Sequence, residues 1–155
     1  MDTHAAQAAA PAQAGQALVD FLCFAIYSTN LTFGKAYKPI LDELGLTYPQ
    51  YIAIAALWDE DLQTVTGLGE KLFLESNTLT PVLKKLQTMG YVHRQRDSLD
   101  ERQVLISLTA KGRSLRERAF EMDLSEACGL SAEEFAAIRQ AVIRLRGNLR
   151  ASIRK

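Results

Sequence analysis

The sequence predicts a mainly helical fold with one small β-hairpin, in the order of a winged helix-turn-helix. A short run with apolar residues at helical spacing covers residues 68–74, and a longer one covers residues 77–89. In the longer run, one face carries Leu79, Val82, Leu83 and Leu86. Two alternating segments, 91–96 and 103–108, then flank a polar stretch. In this order of elements, the second helix is the one expected to enter the DNA major groove.

The start of that second helix is rich in groups that can contact DNA. Hydroxyls and an amide gather there, on Ser76, Asn77, Thr78 and Thr80, where a recognition helix meets base edges. The alternative is that these residues only cap the helix. If Thr78 is the cap, Pro81 is the third helical residue and no bond is lost, whereas an earlier start costs one bond.

Basic residues follow on the helix and in the hairpin. We predict that the DNA-contacting set also includes Pro81, Lys84, Lys85, Arg96 and Arg102. The net charge of the chain is zero, but its distribution is uneven. Residues 1–61 hold 2 basic and 7 acidic residues, a net charge of −5, whereas residues 62–118 hold 10 and 6, a net charge of +4. The positive excess therefore falls on the region predicted to meet the DNA backbone.

The N-terminal half is predicted to contain two helices before the DNA-binding region. The first is expected over residues 18–38 with a wide apolar surface, and it should end near Pro39. Thr47 and Gln50 form a capping box that opens the second, which runs to Trp58. The acidic residues 59–61 have the wrong sign for a helix C-terminus and predict an exposed turn.

Residues 1–16 are rich in Ala and Gln and are expected to form a flexible tail. They lack the features of a signal peptide, and no apolar run is long enough to span a membrane. We therefore expect a cytoplasmic protein with reduced cysteines and without membrane contact. The predicted organisation is one compact domain, with a helical dimerisation region over 17–60 and 110–155 and a DNA-binding region over 61–109.

The C-terminal region is predicted to form a dimer. Thr109 is expected to cap a helix that runs towards Cys128, and Ser131 with Glu134 makes a second capping box. The last helix then has apolar residues at nearly heptad spacing. Packing within one chain is the alternative, but we favour a seam between two copies, formed by Ile138, Val142, Leu145 and Leu149.

The two cysteines carry little signal by themselves. Cys23 is expected in the middle of the first helix, one turn before Tyr27, where a cysteine usually behaves as a small buried apolar residue. No basic residue lies within a turn of it, and about six residues precede it in the expected helix, so activation by the helix dipole is poor. Cys128 lies beside Gly129 before the last helix, in what we expect to be the more accessible setting.

A resemblance becomes specific in the hairpin. Asp100-x-Arg102, followed by Leu108-Thr109-x-x-Gly112, resembles the wing signature of MarR-type repressors. In that family the wing aspartate pairs with the arginine, which reaches into the minor groove, so the resemblance adds Asp100 to the DNA-binding set. The family dimerises through its N- and C-terminal helices, which agrees with the seam. Residues 77–86 together with Cys23 are similar to the organic-hydroperoxide-sensing (OhrR) branch.

That resemblance implies a thiol switch. In the OhrR branch a cysteine of the first helix attacks the peroxide, and tyrosines of the partner subunit hydrogen-bond its sulfur. The matching residues here are Cys23, Tyr37 and Tyr48, with Tyr27 nearby. Two-Cys members resolve the oxidised sulfur as a disulfide across the dimer, a role that the resemblance gives to Cys128.

The leading hypothesis is a repressor, not an enzyme, that binds a pseudo-palindromic operator on double-stranded DNA as a homodimer and is released by organic hydroperoxides. The alternative is a MarR-type repressor released by a small aromatic ligand in the dimer cleft, without thiol chemistry. A thiol peroxidase is disfavoured because there is no C-x-x-C and neither histidine is near Cys23 in sequence. We expect no cofactor and no metal, because cysteine and histidine occur at no ligand spacing.

Overall fold

The structure is a computed structural model that describes residues 17–120 and 126–154, so the expected tail over 1–16 lies outside the described residues. The chain divides into two compact units, Met1–Pro39 and Ile40–Lys155, each described by itself. Short 3-10 helices cover Leu18–Asp20 and Glu126–Cys128. The remaining elements are α1 (Leu22–Leu44), α2 (Tyr48–Asp59), β1 (Gln63–Thr64), α3 (Val65–Leu72), α4 (Ser76–Thr88), β2 (Val92–Arg96), β3 (Val104–Leu108), α5 (Ala110–Phe120) and α6 (Ala132–Ile153).

Helix α1 begins and ends later than the sequence predicts. Phe21 has extended backbone angles (φ −80°, ψ 120°), which separate the preceding 3-10 turn from the helix. At the other end the helix continues through Pro39, although the proline has no N–H to donate to the preceding turn. The buried side chains Leu41 and Leu44 follow that proline. Their burial offsets the lost bond, which local propensity alone does not capture.

The α2 prediction is confirmed. Thr47 Oγ1 accepts a hydrogen bond from the Gln50 amide at 3.4 Å, and Gln50 Oε1 accepts one from the Thr47 amide at 2.9 Å. The helix buries Ala53, Ile54 and Leu57 and ends at Asp59. The acidic segment after it is exposed, as predicted.

The sheet has the strand order β1-β3-β2, and both pairings are antiparallel. The hairpin of β2 and β3 is confirmed, with Val92 opposite Leu108 and Arg96 opposite Val104. Strand β1 was not predicted, and it pairs Gln63 with Ile106. Two residues are too short a segment to show an alternating pattern, so the pairing partner and not the local sequence makes this strand.

The core lies where α2, α3 and α4 pack together and against the sheet. The predicted apolar face of α4 is confirmed, because Leu79, Leu83 and Leu86 are fully buried and Val82 is half-buried. The other large side chains that are fully buried are Ile54, Leu57, Leu68, Val92 and Ile106. This core holds α4 against the hairpin.

Both C-terminal capping predictions are confirmed. Thr109 Oγ1 accepts a hydrogen bond from the Gly112 amide at 3.0 Å, and α5 begins at Ala110. The expected continuation of that helix runs through residues 121–125, outside the described residues. Ser131 and Glu134 form the second capping box, at the start of α6. Among the described helices, none combines the length and the hydropathy that a transmembrane helix needs.

Candidate nucleic-acid interface and cysteine sites

Helices α3 and α4 are joined by a tight turn with an unusual backbone. Phe73, at the end of α3, has φ 59° and ψ 34°, the left-handed conformation that favours glycine. The Leu74 amide donates to the Gly69 carbonyl at 2.9 Å, which closes the turn. A Cβ on Gly69 would lie 2.7 Å from the Leu74 carbonyl oxygen, so the turn requires glycine there. This turn sets how α4 leaves the core.

Helix α4 begins earlier than a Thr78 cap would allow. Its N-cap is Glu75, whose side chain makes no capping bond. The Glu75 carbonyl accepts from the amides of Thr78 and Leu79 at 3.0 and 2.9 Å, which draws the first turn back to Ser76. The cap interpretation of Thr78 is therefore wrong. Pro81 lies inside the helix, so the one-bond cost of the earlier start applies.

The predicted contact residues of α4 differ in their exposure. Ser76, Asn77 and Thr78 are exposed in its first turn, whereas Thr80 is half-buried and its hydroxyl donates to the Ser76 carbonyl at 2.7 Å. The hydroxyl of Thr80 is therefore engaged by its own helix. The remaining predicted contacts of the helix are all exposed, namely Pro81, Lys84 and Lys85.

The loop between β2 and β3 is organised around one carboxylate. Asp100 Oδ1 accepts from the Arg102 side chain at 3.0 Å and from the Arg102 amide at 3.2 Å, while Oδ2 accepts from Gln103 at 3.3 Å. The side-chain hydrogen bond from Arg102, followed by the backbone one, lowers the pKa of Asp100 below its ordinary value. The Arg102 side chain is 91% exposed. Arg96, the last residue of β2, is also exposed.

The base of this hairpin is held by residues that the sequence did not reveal. Asp61 Oδ1 accepts from the Leu108 amide at 2.9 Å, and Arg113 donates to the Leu108 carbonyl at 2.9 Å. Arg113 and Asp61 also form an ion pair at 3.5 Å. Arg113 is the residue immediately after the Leu-Thr-x-x-Gly motif, and that position is the signal by which the sequence could have identified it. Nothing in the local sequence distinguishes Asp61 from its acidic neighbours.

Helix α5 lies very close to β2 at the same base. A Cβ on Gly112 would lie 2.2 Å from the Tyr91 carbonyl oxygen, and Trp58 Nε1 donates to the Gly112 carbonyl at 2.9 Å. Lys111 Nζ lies 4.5 Å from the centre of the Tyr91 ring. The hairpin, α2 and α5 therefore meet at one point.

The settings of the two cysteines are opposite to those predicted. Cys23 is the second residue of α1 and not a mid-helix residue, because Phe21 interrupts the expected helix. It is exposed, whereas Cys128, at the end of its 3-10 turn, is half-buried. The prediction that Cys128 is the more accessible cysteine is therefore wrong for the described chain.

The three predicted tyrosines lie on α1 and at the start of α2. Tyr27 is exposed and Tyr37 is half-buried on α1, and Tyr48 is exposed as the first residue of α2. Burial raises the pKa of the neighbouring Tyr51, and its electrostatic interaction with Tyr48 adds to the shift. In the described ranges no cluster of His, Cys, Asp or Glu is arranged to hold a metal ion.

The predicted seam of α6 is open in the single chain. Ile138, Val142 and Leu149 are 52%, 49% and 53% exposed, and Leu145 is half-buried. In the Met1–Pro39 unit, large apolar side chains are exposed as well, among them Leu22, Ile26 and Leu31. Each unit thus carries apolar surface that its own residues do not cover.

The family model of the SarA/Rot transcriptional regulators matches residues 35–119. The chain belongs to this family of transcriptional regulators. The chain is 44% identical over 119 residues to the organic hydroperoxide resistance transcriptional regulator of Bacillus subtilis, covering 77% of this chain and 80% of that protein. It is 50% identical over 101 residues to the TtmR regulator of Methylorubrum extorquens, but those residues span only 52% of that protein.

Solved structures of the AbfR regulator are also similar. Reduced AbfR bound to DNA superposes with a TM-score of 0.74 at 36% identity, covering 85% of this chain and 92% of that one. The disulfide form of AbfR superposes with a TM-score of 0.61 at the same identity, covering 86% of this chain and 90% of that one. As a SarA/Rot family member, this chain is a DNA-binding transcription regulator, and its MarR-type winged helix-turn-helix is confirmed.

Proposed function

We propose that this regulator represses transcription as a homodimer and is released from DNA when organic hydroperoxides oxidise Cys23. The observation that carries the proposal is the exposed position of Cys23 in the first turn of α1. The first turn of a helix is also the end at which its peptide dipoles favour a negative charge. Both features suit a sulfur that meets an oxidant.

Two relatives support a thiol mechanism. One is named for resistance to organic hydroperoxide, and AbfR is known both in a reduced DNA-bound form and in a disulfide form. This chain has two cysteines, and we assign the disulfide to Cys23 and Cys128 rather than to a like pair, Cys23–Cys23 or Cys128–Cys128, between two copies. We assign the attacking role to Cys23 because it is the more exposed of the two.

The chemistry proceeds in two steps. The Cys23 thiolate attacks the terminal oxygen of the hydroperoxide and the O–O bond breaks, so that the sulfur becomes a sulfenic acid. The leaving alkoxide takes a proton from water and departs as the alcohol. The Cys128 sulfur then attacks the sulfenic sulfur of the partner copy, forming the disulfide and releasing water. We assign Tyr37 of α1 and Tyr48 of α2, together with Tyr27 of α1, as hydroxyl donors that stabilise the reacting sulfur.

In the proposed complex, DNA is bound by the DNA-binding regions of two copies. With α4 in one major groove of each half-site, a two-fold dimer reads a pseudo-palindromic operator whose half-sites are about 34 Å apart. We assign the dimer contact to the exposed apolar residues of α6 and of α1, because each unit leaves such residues uncovered. Oxidation changes how the two copies are held and so misplaces several DNA contacts at once.

The decisive experiment compares Cys23→Ser with the unaltered protein. The probe is the DNA immediately upstream of the protein's own gene, in a gel-shift assay with and without cumene hydroperoxide. We expect the unaltered protein to release the DNA and Cys23→Ser to bind equally well and stay bound. Release of Cys23→Ser by the hydroperoxide would reject the thiol mechanism. Release by an aromatic carboxylate instead would favour the ligand-controlled alternative.

Cys128→Ser separates the two chemical steps. We expect it to form the sulfenic acid but no covalent dimer, and to proceed to irreversible sulfinic acid at higher oxidant. Intact mass and non-reducing electrophoresis after a short hydroperoxide pulse measure both outcomes. A disulfide within one chain, seen as an oxidised monomer band, would contradict the pairing across subunits. Tyr37→Phe and Tyr48→Phe should slow the oxidation without weakening DNA binding by the reduced protein.

A further inference from the structure

Phe73 occupies a backbone conformation that its own side chain disfavours. Its left-handed angles, φ 59° and ψ 34°, are those in which glycine normally ends a helix. The side chain is also 46% exposed, so it does not fill the core. A large apolar residue that is both strained and exposed needs a reason outside the turn, and a strained backbone position is a pointer to function.

The reason lies on the C-terminal helix. The guanidinium carbons of Arg146 and Arg150 lie 4.1 and 4.6 Å from the centre of the Phe73 ring. The two arginines are four residues apart on α6, so they project from the same side of that helix. A planar guanidinium stacks on an aromatic ring in a way that an ammonium does not match. Two such contacts on one ring join α6 to the helix-turn-helix.

The contact also reaches the start of the recognition helix. Arg150 lines a cleft of about 460 Å³ together with Glu70 and Phe73 of the α3 end and Glu75 and Ser76 of the α4 start. Because Phe73 is the residue at which the chain turns from α3 into α4, its position fixes the direction in which α4 leaves. A displacement of α6 is therefore transmitted to the first turn of α4, which carries Ser76, Asn77 and Thr78.

We propose that Arg146 and Arg150 are positioning residues for DNA binding, which act on α4 through the ring of Phe73. They hold the turn in one orientation and couple it to α6, the helix assigned above to the dimer. The coupling rests on that assignment and on the family's DNA binding, but not on the thiol chemistry. A direct contact of Arg150 with a phosphate is the competing interpretation. The carboxylates of Glu70 and Glu75 in the same cleft disfavour a phosphate there.

Two kinds of variant test the proposal on the full-length dimer. Phe73→Gly removes the ring and suits the left-handed backbone, so the protein should stay folded. Arg146→Lys combined with Arg150→Lys keeps both charges but weakens the stacking, and it leaves the turn itself unaltered. Arg144→Lys, an exposed arginine elsewhere on α6, is the matched control. DNA affinity is measured against salt concentration on the fragment upstream of the protein's own gene, with sedimentation to follow the dimer.

We expect Phe73→Gly and the double lysine variant each to weaken DNA binding roughly three- to tenfold, the size of two exposed cation–π contacts. Their combination should lose no more than either alone, because both remove the same contact. The salt slope should not change. Full binding by Phe73→Gly, full binding by the double lysine variant, or additive losses would each overturn the proposal. Release by hydroperoxide is expected to persist in these variants, so a failure here is separable from a failure of the thiol mechanism.

Discussion

Arg102 Nε lies 3.0 Å from Asp100 Oδ1, so the guanidinium is tethered at the tip of the hairpin while 91% of its side chain faces solvent. A tether of this kind is worth little as a surface ion pair. Its effect is to hold an arginine that projects from the protein in a limited range of directions. An arginine held in this way is suited to the minor groove of DNA.

Removing that arginine should weaken binding to every DNA sequence alike. We predict that Arg102→Ala lowers DNA affinity and reduces the slope of log affinity against log salt by about one, the value for one lost phosphate contact. Filter-binding titrations at several salt concentrations measure both quantities. Ser98→Ala, an exposed change in the same loop, is the control and should alter neither. An unchanged slope for Arg102→Ala would remove the residue from the interface.

The same loop should lose its order in acid. The pKa of Asp100 is lowered by the hydrogen bonds from Arg102, so the organised loop is fully formed above the ordinary carboxyl pKa of about 4. Its order is then lost as the pH falls through the lowered pKa of the folded state. The Arg102 amide, which donates to Asp100, reports this in NMR spectra recorded from pH 6 downwards. In Asp100→Asn the step should be absent, and its persistence would assign it to another group.

Placing a charge on the open face of α6 should separate the dimer. Val142 is 49% exposed in the single chain, so Val142→Asp should not disturb the fold of one copy. In the proposed dimer the carboxylate would be buried without a partner and raise the dimer dissociation constant roughly 100-fold or more. Sedimentation at several concentrations measures the constant. Gln140→Asp, on the opposite side of α6, is the control, and equal behaviour of the two variants would show that the seam is misassigned.

Two glycine substitutions should have opposite effects on stability. In Gly112→Ala the new methyl would lie 2.2 Å from the Tyr91 carbonyl oxygen, and forcing the two backbones apart should cost about 3 kcal/mol. Gly147 lies inside α6 with nothing within 4 Å of its Cβ position, so Gly147→Ala should stabilise the protein by about 0.5–1 kcal/mol. Urea unfolding at one fixed protein concentration measures both changes. A neutral Gly112→Ala would mean that α5 and β2 can separate freely.

The features that the sequence predicted well are those in which neighbouring residues determine the outcome. Thr47 with Gln50 and Ser131 with Glu134 form their capping boxes within one helical turn. The spacing of Leu79, Leu83 and Leu86 likewise needs only the helical repeat to define a buried face. Asp100 and Arg102 pair across two residues of the same loop.

The features that were missed depend on partners far along the chain or on tertiary burial and backbone angles that local sequence does not specify. Strand β1 exists because Gln63 meets Ile106, and α1 passes Pro39 because Leu41 and Leu44 are buried. The left-handed backbone of Phe73 is understandable only with Arg146 and Arg150 beside it. For Cys23, one extended residue, Phe21, was enough to move the helix start and with it the expected setting of the thiol.

The carboxylate of Asp61 links the order of synthesis to the assembly of the hairpin. Besides the adjacent Leu62 amide, its partners are the Leu108 amide and Arg113, which lie 47 and 52 residues further along the chain. A nascent chain leaving the ribosome can complete α2 early, but the base of the hairpin cannot close until the start of α5 has emerged. Closing so long a loop costs chain entropy, so it is slower than forming local helices. The DNA-binding region is therefore expected to be the last part of residues 48–120 to reach its native geometry, during translation as well as in refolding.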